Sequence, residues 1–372
     1  MTYTWPLNDN HYSLWDRMKI AYFILNPDNR WTSGPQVLEF ERYWAQATGY
    51  KYALMTSSGS TAVEIMARLW KRKYQTYDQR RIFFPALTWP TSVTPWIEAG
   101  FEPEFIDVNE FMCMDAFLVQ QAAERMHSGR VCGAFPTSTL GAYPWVSSMK
   151  VTCGNVAVDN CEAHHRIGIS NRDMVPCVTS FYFGHHFTTG TEGGMVFLND
   201  EDEFKTAIAL RAHGLNREQE KYFDVEAGGK FEFDVMGSNF RSSDLAAYMG
   251  NLNSKRVVSS LKHRSILYET FKRNIHSSYE TFGLDSAFAI PIVNTTIDKN
   301  EVMDLLESMG IETRPIIGGN LLRHKAFSTY GEAEKYPVAD HFHNYGFYVG
   351  LHEGVTEGDV ERLTEVLNEI VR

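Results

Sequence analysis

The sequence predicts an α/β fold, with a mostly parallel central sheet flanked by helices and a smaller C-terminal α+β lobe. Three observations predict it. Short apolar runs alternate with longer amphipathic stretches over the first two-thirds of the chain. Strands separated by helices need crossover connections, and these pair strands in parallel. Near Asn253 the pattern changes to a long helical stretch. The chain, 372 residues long, suffices for a sizeable core and more than one lobe.

Taken in order, Tyr52–Met55 reads as a buried strand leading into Thr61–Trp70, whose apolar residues recur at helical spacing. Arg81–Phe84 leads in the same way into a helix over Thr91–Ala99, and Phe105–Val108 follows. Gly133–Phe135, Val156–Val158, Phe181–Phe183 and Met195–Phe197 are further short strands. The second lobe takes the helical stretch from Asn253 towards Tyr279, the apolar run Phe288–Val293 and a helix over Lys299–Met309. The segment Ile311–Ile316 and a helix over Glu357–Val371 complete it. The expected division is a large lobe over 1–252, N-terminal arm included, and a small lobe over 253–372.

Charge and composition narrow the function. With 35 Lys+Arg against 46 Asp+Glu, the net charge is −11, which fits neither a nucleic-acid coat nor an anionic membrane. Five cysteines without a C-x-x-C pair argue against a disulfide scaffold or a compact zinc or iron–sulfur module. The opening Met1–Pro6 lacks the basic-then-apolar pattern of a secretory leader, and no apolar run is long enough to span a bilayer, so a cytoplasmic location is expected. Between Lys73 and Lys205 the chain has a single lysine, Lys150.

Ligands of parallel sheets collect at the carboxyl ends of strands, and four motifs stand there. Thr56-Ser-Ser-Gly-Ser-Thr61 joins a strand to a helix; Gly59 allows close backbone approach, and the amides of Ser60 and Thr61 suit a phosphate. The same residues also read as a Ser/Thr cap with a turn glycine. Trp89, in Pro85–Trp89, either stacks on a flat ring or belongs to the core. Asp159 ends an apolar strand, with Glu162 three residues on; a buried acid there needs a cationic or donor partner, or else caps a helix. Ser180–Gly194 carries His185 and His186 between a strand and a Gly/Thr-rich turn, a residue type suited to moving protons near neutrality. A metal reading draws on His164-His165, His185-His186 and His341 with His343, but no H-E-x-x-H or C-x-x-C spacing supports it. Lys71–Lys73 with Arg80-Arg81 is a solvated basic face.

Taken together, these stretches resemble the DegT/StrS-like family of pyridoxal-phosphate sugar aminotransferases, of aspartate-aminotransferase-like (fold type I) architecture. Ser33-Gly-Pro35, Leu38–Phe40, Ala99–Asp107, Leu210–Gly214, Gly237–Arg241 and Ile311–Pro315 extend the resemblance over nearly the whole chain. It implies that Gly59, Ser60 and Ser180 hold the cofactor phosphate, that Trp89 stacks on the pyridine ring, and that Asp159 pairs with the ring nitrogen. Glu162 stands where the family contacts the ring hydroxyl. Asn239 would reach the phosphate of a neighbouring subunit, implying a homodimer with shared active sites.

One position departs from the family. Its aminotransferases place a Schiff-base lysine five residues after the serine. Counting from Ser180 gives His185; counting back from Glu192-Gly-Gly194 gives His186, because this turn is one residue longer. His185 is preferred, since a strand holds register better than a Gly/Thr turn. Imidazole forms no Schiff base, so pyridoxal or pyridoxamine phosphate must be held non-covalently. Histidine at this position resembles the nucleotide-sugar 3-dehydratases of the family, as does Ile317–Arg323. The implied reaction removes the 3-hydroxyl of a nucleotide-linked 4-keto-6-deoxyhexose, with L-glutamate as amino donor and ammonia as co-product, in deoxysugar and polysaccharide biosynthesis. In it, His185 moves a proton from cofactor to leaving group. Cys113, Cys132, Cys153, Cys161 and Cys177 lack the spacing of the related iron–sulfur dehydratases, so no cluster is expected. An aminotransferase-like outcome and a non-catalytic relative are the alternatives. Neither the nucleotide nor the sugar configuration is readable, and Arg241, Arg314 and Arg323 are unassigned anion binders.

Overall fold

The computed structural model of the chain describes residues 3–9, 12–75, 80–126, 131–164, 174–226, 229, 231–284 and 287–371. The large lobe runs through α1 (Leu14–Leu25), α2 (Pro35–Thr48), β1 (Tyr52–Thr56), α3 (Gly59–Lys73), β2 (Arg81–Pro85), α4 (Pro90–Glu98) and β3 (Glu102–Ile106). It continues with α5 (Ala116–Arg125), β4 (Val131–Ala134), α6 (Val146–Cys153), β5 (Val158–Asp159), β6 (Cys177–Ser180), β7 (Gly194–Leu198), α7 (Glu201–Arg211) and α8 (Asp244–Ser254). The second lobe holds α9 (Val257–Asn274), β8 (Ala289–Val293), α10 (Lys299–Ser308), β9 (Thr313–Pro315), α11 (Pro337–Tyr345), β10 (Gly346–Gly350) and α12 (Glu357–Ile370).

Parallel bridges Ala134↔Val156 and Thr137↔Asp159 join two ladders into one sheet of order β3-β2-β4-β5-β6-β7-β1. Only β7 runs antiparallel to its neighbours, so the sheet is mostly parallel, as expected. Most strand residues outside β3 are buried, because helices cover both faces. On one side α3 and α4 seal a core around Trp70, Phe84, Trp96 and Phe135; on the other, α2, α5 and α6 pack Phe40, Trp44, Val119 and Met149. The second lobe's antiparallel sheet, β8-β10-β9, packs on α9, α10 and α12. Trp5, from the N-terminal arm, is buried in that same core and donates its indole N–H to Gly350 O at 2.9 Å.

Three sequence expectations shift. The strand expected at Phe181–Phe183 lies earlier, at Cys177–Ser180; Phe181 is buried, but Tyr182 and Phe183 are exposed and pair with no strand. β3 ends before Asp107, whose carboxylate instead accepts the Val338 and Ala339 amides at 2.9 and 2.8 Å and so caps α11. The helical stretch expected from Asn253 starts later, as α9 packed on α12, and a separate helix, α8, packed on α2, ends just before it.

Candidate active site

The strand ends β1, β2, β5 and β6 open on one side of the sheet, and the motif residues meet there. β1 passes through Ser57-Ser58 into α3. The Ser58 hydroxyl accepts the Thr61 amide at 3.2 Å and the Thr61 hydroxyl accepts the Ser58 amide at 3.0 Å, a reciprocal cap. The Thr61 amide is therefore spent on the cap, which corrects its expected role. The amides of Gly59 and Ser60 have no acceptor among the described residues. Gly59 is required by contact: a Cβ there would stand 2.7 Å from the Ser180 Cβ. That closeness puts the Ser180 hydroxyl, at the end of β6, beside the two amides at the positive end of α3. The Ser57 amide donates to Phe240 O at 2.9 Å, which brings Gly237–Arg241 alongside. There Asn239 is exposed and accepts from Arg241 Nε at 3.0 Å, while Arg241 Nη2 donates to His213 Nε2 at 3.1 Å.

Trp89 caps α4 at the end of β2 and is 55% exposed, so it is not a core residue. Across from it, Asp159 is buried at the end of β5. Its Oδ2 accepts the Ser92 hydroxyl at 2.5 Å and its Oδ1 accepts the Cys161 amide at 3.2 Å. Glu162 Oε2 accepts the Leu140 amide at 2.7 Å, from a residue held at φ 50°. Burial, with Asp159's charge adding to it, pushes the Glu162 carboxyl up to about 7. The Ser138 and Thr139 hydroxyls nearby are buried without a hydrogen-bond partner among the described residues, as is His185 Nδ1. A polar ligand would satisfy such groups.

The two histidines have different surroundings. His185 follows a turn closed by its own amide on Tyr182 O at 2.9 Å; its half-buried ring stands 5.6 Å from Phe288, against the Cys161 carbonyl. Burial lowers its pKa to about 4, so the ring is neutral at physiological pH. His186 is buried in a ring cluster, 4.7 Å from His164, 4.9 Å from Phe187 and 5.3 Å from Phe288. His185 keeps partial exposure, whereas His186 is 2% exposed. Lys150 is exposed on α6.

Sequence reasoning missed two supports. Ser92, in the first turn of α4, holds Asp159; buried His164 bonds Ser180 O through Nε2 at 2.7 Å and so fixes the end of β6. Spacing from Trp89 flagged nothing about Ser92, because the contact crosses from α4 to β5. His165 lies outside the described residues, and among those described no group of three His, Cys, Asp or Glu is placed to hold a metal ion. No described helix is long and apolar enough to cross a membrane. Arg323 is paired with Asp340 and Glu334, and Arg314, largely exposed on β9, is paired with Glu312 at 3.2 Å.

Comparison with known proteins gives a consistent result. The chain is 27% identical over 390 aligned residues to the GDP-4-keto-6-deoxy-D-mannose 3-dehydratase of Yersinia pseudotuberculosis, covering 96% of this chain and 97% of the relative. A crystal structure of GDP-4-keto-6-deoxymannose-3-dehydratase with a trapped PLP-glutamate geminal diamine superposes with a TM-score of 0.85 at 23% identity, covering 98% of this chain and all of that one. The fold is shared with Helicobacter pylori PseC, an aminotransferase of pseudaminic acid biosynthesis, at a TM-score of 0.84 and 16% identity, covering all of this chain and 99% of that one. The DegT/DnrJ/EryC1/StrS aminotransferase family model matches residues 23–368, and the chain belongs to that family.

Proposed function

We propose that this chain is a pyridoxal/pyridoxamine-phosphate-dependent lyase that removes the 3-hydroxyl of a nucleotide-linked 4-keto-6-deoxyhexose. The observation that carries the proposal is His185, a neutral, half-buried imidazole five residues after Ser180, where the family's aminotransferases carry a lysine. The relatives named above favour a GDP-linked sugar.

The residues present fit the cofactor. Gly59, Ser60 and Ser180 would hold its phosphate, Trp89 its ring face, Asp159 its ring nitrogen and Glu162 its ring hydroxyl. When bound, the cofactor supplies an amine for the sugar ketone and a sink for electrons. His185 does the proton work: its free nitrogen accepts a proton, and the imidazolium so formed donates to the departing 3-hydroxyl. Without a lysine at this position, no group here displaces the product as an amine, and elimination proceeds instead of transfer. L-Glutamate as amino donor, ammonia as co-product, a cytoplasmic location and a homodimer in which Asn239 completes the partner's site belong to the same reading. Exposed Asn239, with Arg241 bonded to it beside the Ser57–Ser60 loop, supports the last of these.

The test is spectroscopic and then chemical. Incubation with pyridoxal phosphate and glutamate should replace the aldehyde absorption by that of the amine form. Adding GDP-4-keto-6-deoxymannose should then give a 3,6-dideoxy product by mass spectrometry. An amino sugar would establish transamination instead. A lysine adduct trapped by borohydride would overturn non-covalent binding.

A further inference from the structure

The carboxylate of Asp159 is set by its neighbours. It lies 4% exposed at the end of β5, and donors reach it from two directions. The Ser92 hydroxyl, 1% exposed, approaches Oδ2 at 2.5 Å from α4; the Cys161 amide approaches Oδ1 at 3.2 Å from the turn after β5, and the Cys161 thiol bonds the same carboxylate. The two carboxylate oxygens have four acceptor sites between them, so one remains for a ligand. The carboxyl torsion of aspartate is soft, and an Asp held only from the Cys161 side would keep freedom to rotate. Ser92 limits that freedom.

Ser92 also makes a backbone contact. Its amide donates to Trp89 O at 3.0 Å, closing the first turn of α4 behind the exposed indole. That bond comes from the main chain and would survive a change of side chain, whereas the bond to Asp159 needs the hydroxyl. Both bonds are internal to the chain and need no ligand to form, so the ring site is organised before anything binds.

We propose that Ser92 is a positioning residue for the cofactor ring: its hydroxyl orients the Asp159 carboxylate towards the pyridine nitrogen. The inference rests on the cofactor assignment made above. Ser92 touches neither cofactor nor substrate, and its effect passes through Asp159. Ser92→Ala should still bind cofactor, because the Gly59, Ser60 and Ser180 phosphate donors are untouched, but with the ring nitrogen poorly held.

The experiment measures pyridoxamine phosphate affinity by fluorescence, and the absorption of bound pyridoxal phosphate across neutral pH. Wild type, Ser92→Ala, Ser92→Thr and Ser92→Cys are compared. Ser92→Ala should weaken pyridoxamine phosphate by about 10-fold, equivalent to about 1.4 kcal/mol. Its bound pyridoxal phosphate should titrate where that of wild type does not. Ser92→Thr, which keeps the hydroxyl, should restore both properties, and Ser92→Cys, a weaker donor, should fall between. Wild-type affinity and spectrum in Ser92→Ala would overturn the proposal, as would failure of Ser92→Thr to rescue. Should Ser92→Ala not fold, the Thr and Cys pair decides by the same readouts. Absence of binding by wild type would instead overturn the cofactor assignment itself.

Discussion

Gly59→Ala tests whether the gap between α3 and β6 shapes the phosphate site. In the structure an added Cβ would lie 2.7 Å from the Ser180 Cβ, 3.2 Å from its Oγ and 3.3 Å from its Cα. Carbon atoms settle about 3.5–4.0 Å apart, so the helix start and strand end must separate by roughly 1 Å. Neither side yields easily. Gly59 sits in the capped first turn of α3, and Ser180 is paired with Gly194 in the sheet and held through its carbonyl by His164. Overpacking of this kind costs about 1–3 kcal/mol. The same displacement pulls the Ser180 hydroxyl away from the Gly59 and Ser60 amides. A hydrogen bond to a charged group contributes about 1.5–3 kcal/mol, so losing one weakens the cofactor about 10- to 150-fold. The assay is a thermal melt of the apo protein, with a fluorescence titration by pyridoxamine phosphate. A melting temperature within error of wild type together with an unchanged dissociation constant would refute the reasoning. Ser60→Ala is the control, since it keeps the amide and should alter affinity much less.

The remaining predictions concern charge and proton transfer. Arg211 and Glu41 form a buried pair at 2.7 Å beneath the phosphate loop, sharing Tyr222 and the backbone of Met55. Arg211→Met leaves Glu41 uncompensated and should destabilise the fold by about 3–5 kcal/mol in denaturant titrations. His185→Asn should abolish turnover while pyridoxamine phosphate still binds, whereas His186→Phe should lower the melting temperature and retain turnover. His185 also predicts a pH slope. Its pKa falls from 6.5 to about 4 on folding, so the unfolded chain takes up the proton first and stability drops as pH falls through that window. His185→Asn should lack this loss, which at about 1.4 kcal/mol per pH unit is at most roughly 3.5 kcal/mol. Glu162 has the opposite sign: its pKa rises from 4.5 to about 7, so stability is lost as pH rises through that window. Glu162→Gln should therefore melt higher than wild type at alkaline pH, and no difference would refute the assigned protonation.

Much of the architecture was legible because periodicity and punctuation agree. Ser58 with Thr61 starts α3, and the basic residues Lys71–Lys73 suit its negative end. The β6 register was misread because Phe181-Tyr-Phe183 looks like a strand locally. Only Phe181 finds a buried place; the β7 partner runs out at Gly194, opposite Ser180. Similarly, Phe105–Val108 was placed too late, since nothing in the local pattern announces that Asp107 caps a helix more than two hundred residues away.

What the sequence determined by itself was identity of parts: a phosphate-loop pattern, an acid after a strand, and histidine where a family built around lysine has none. Those are properties of residue type and spacing, which a linear chain states directly. Tertiary structure alone decided which of two adjacent histidines keeps some exposure, and which amides at the start of α3 remain available. It also decided what holds Asp159. Each of these depends on neighbours contributed by distant segments: His164 packed closest on His186, Ser180 against Gly59, and Ser92 against Asp159. A side chain's exposure, pKa and orientation are set by its surroundings in space, and those exist only once the sheet has brought its strand ends together.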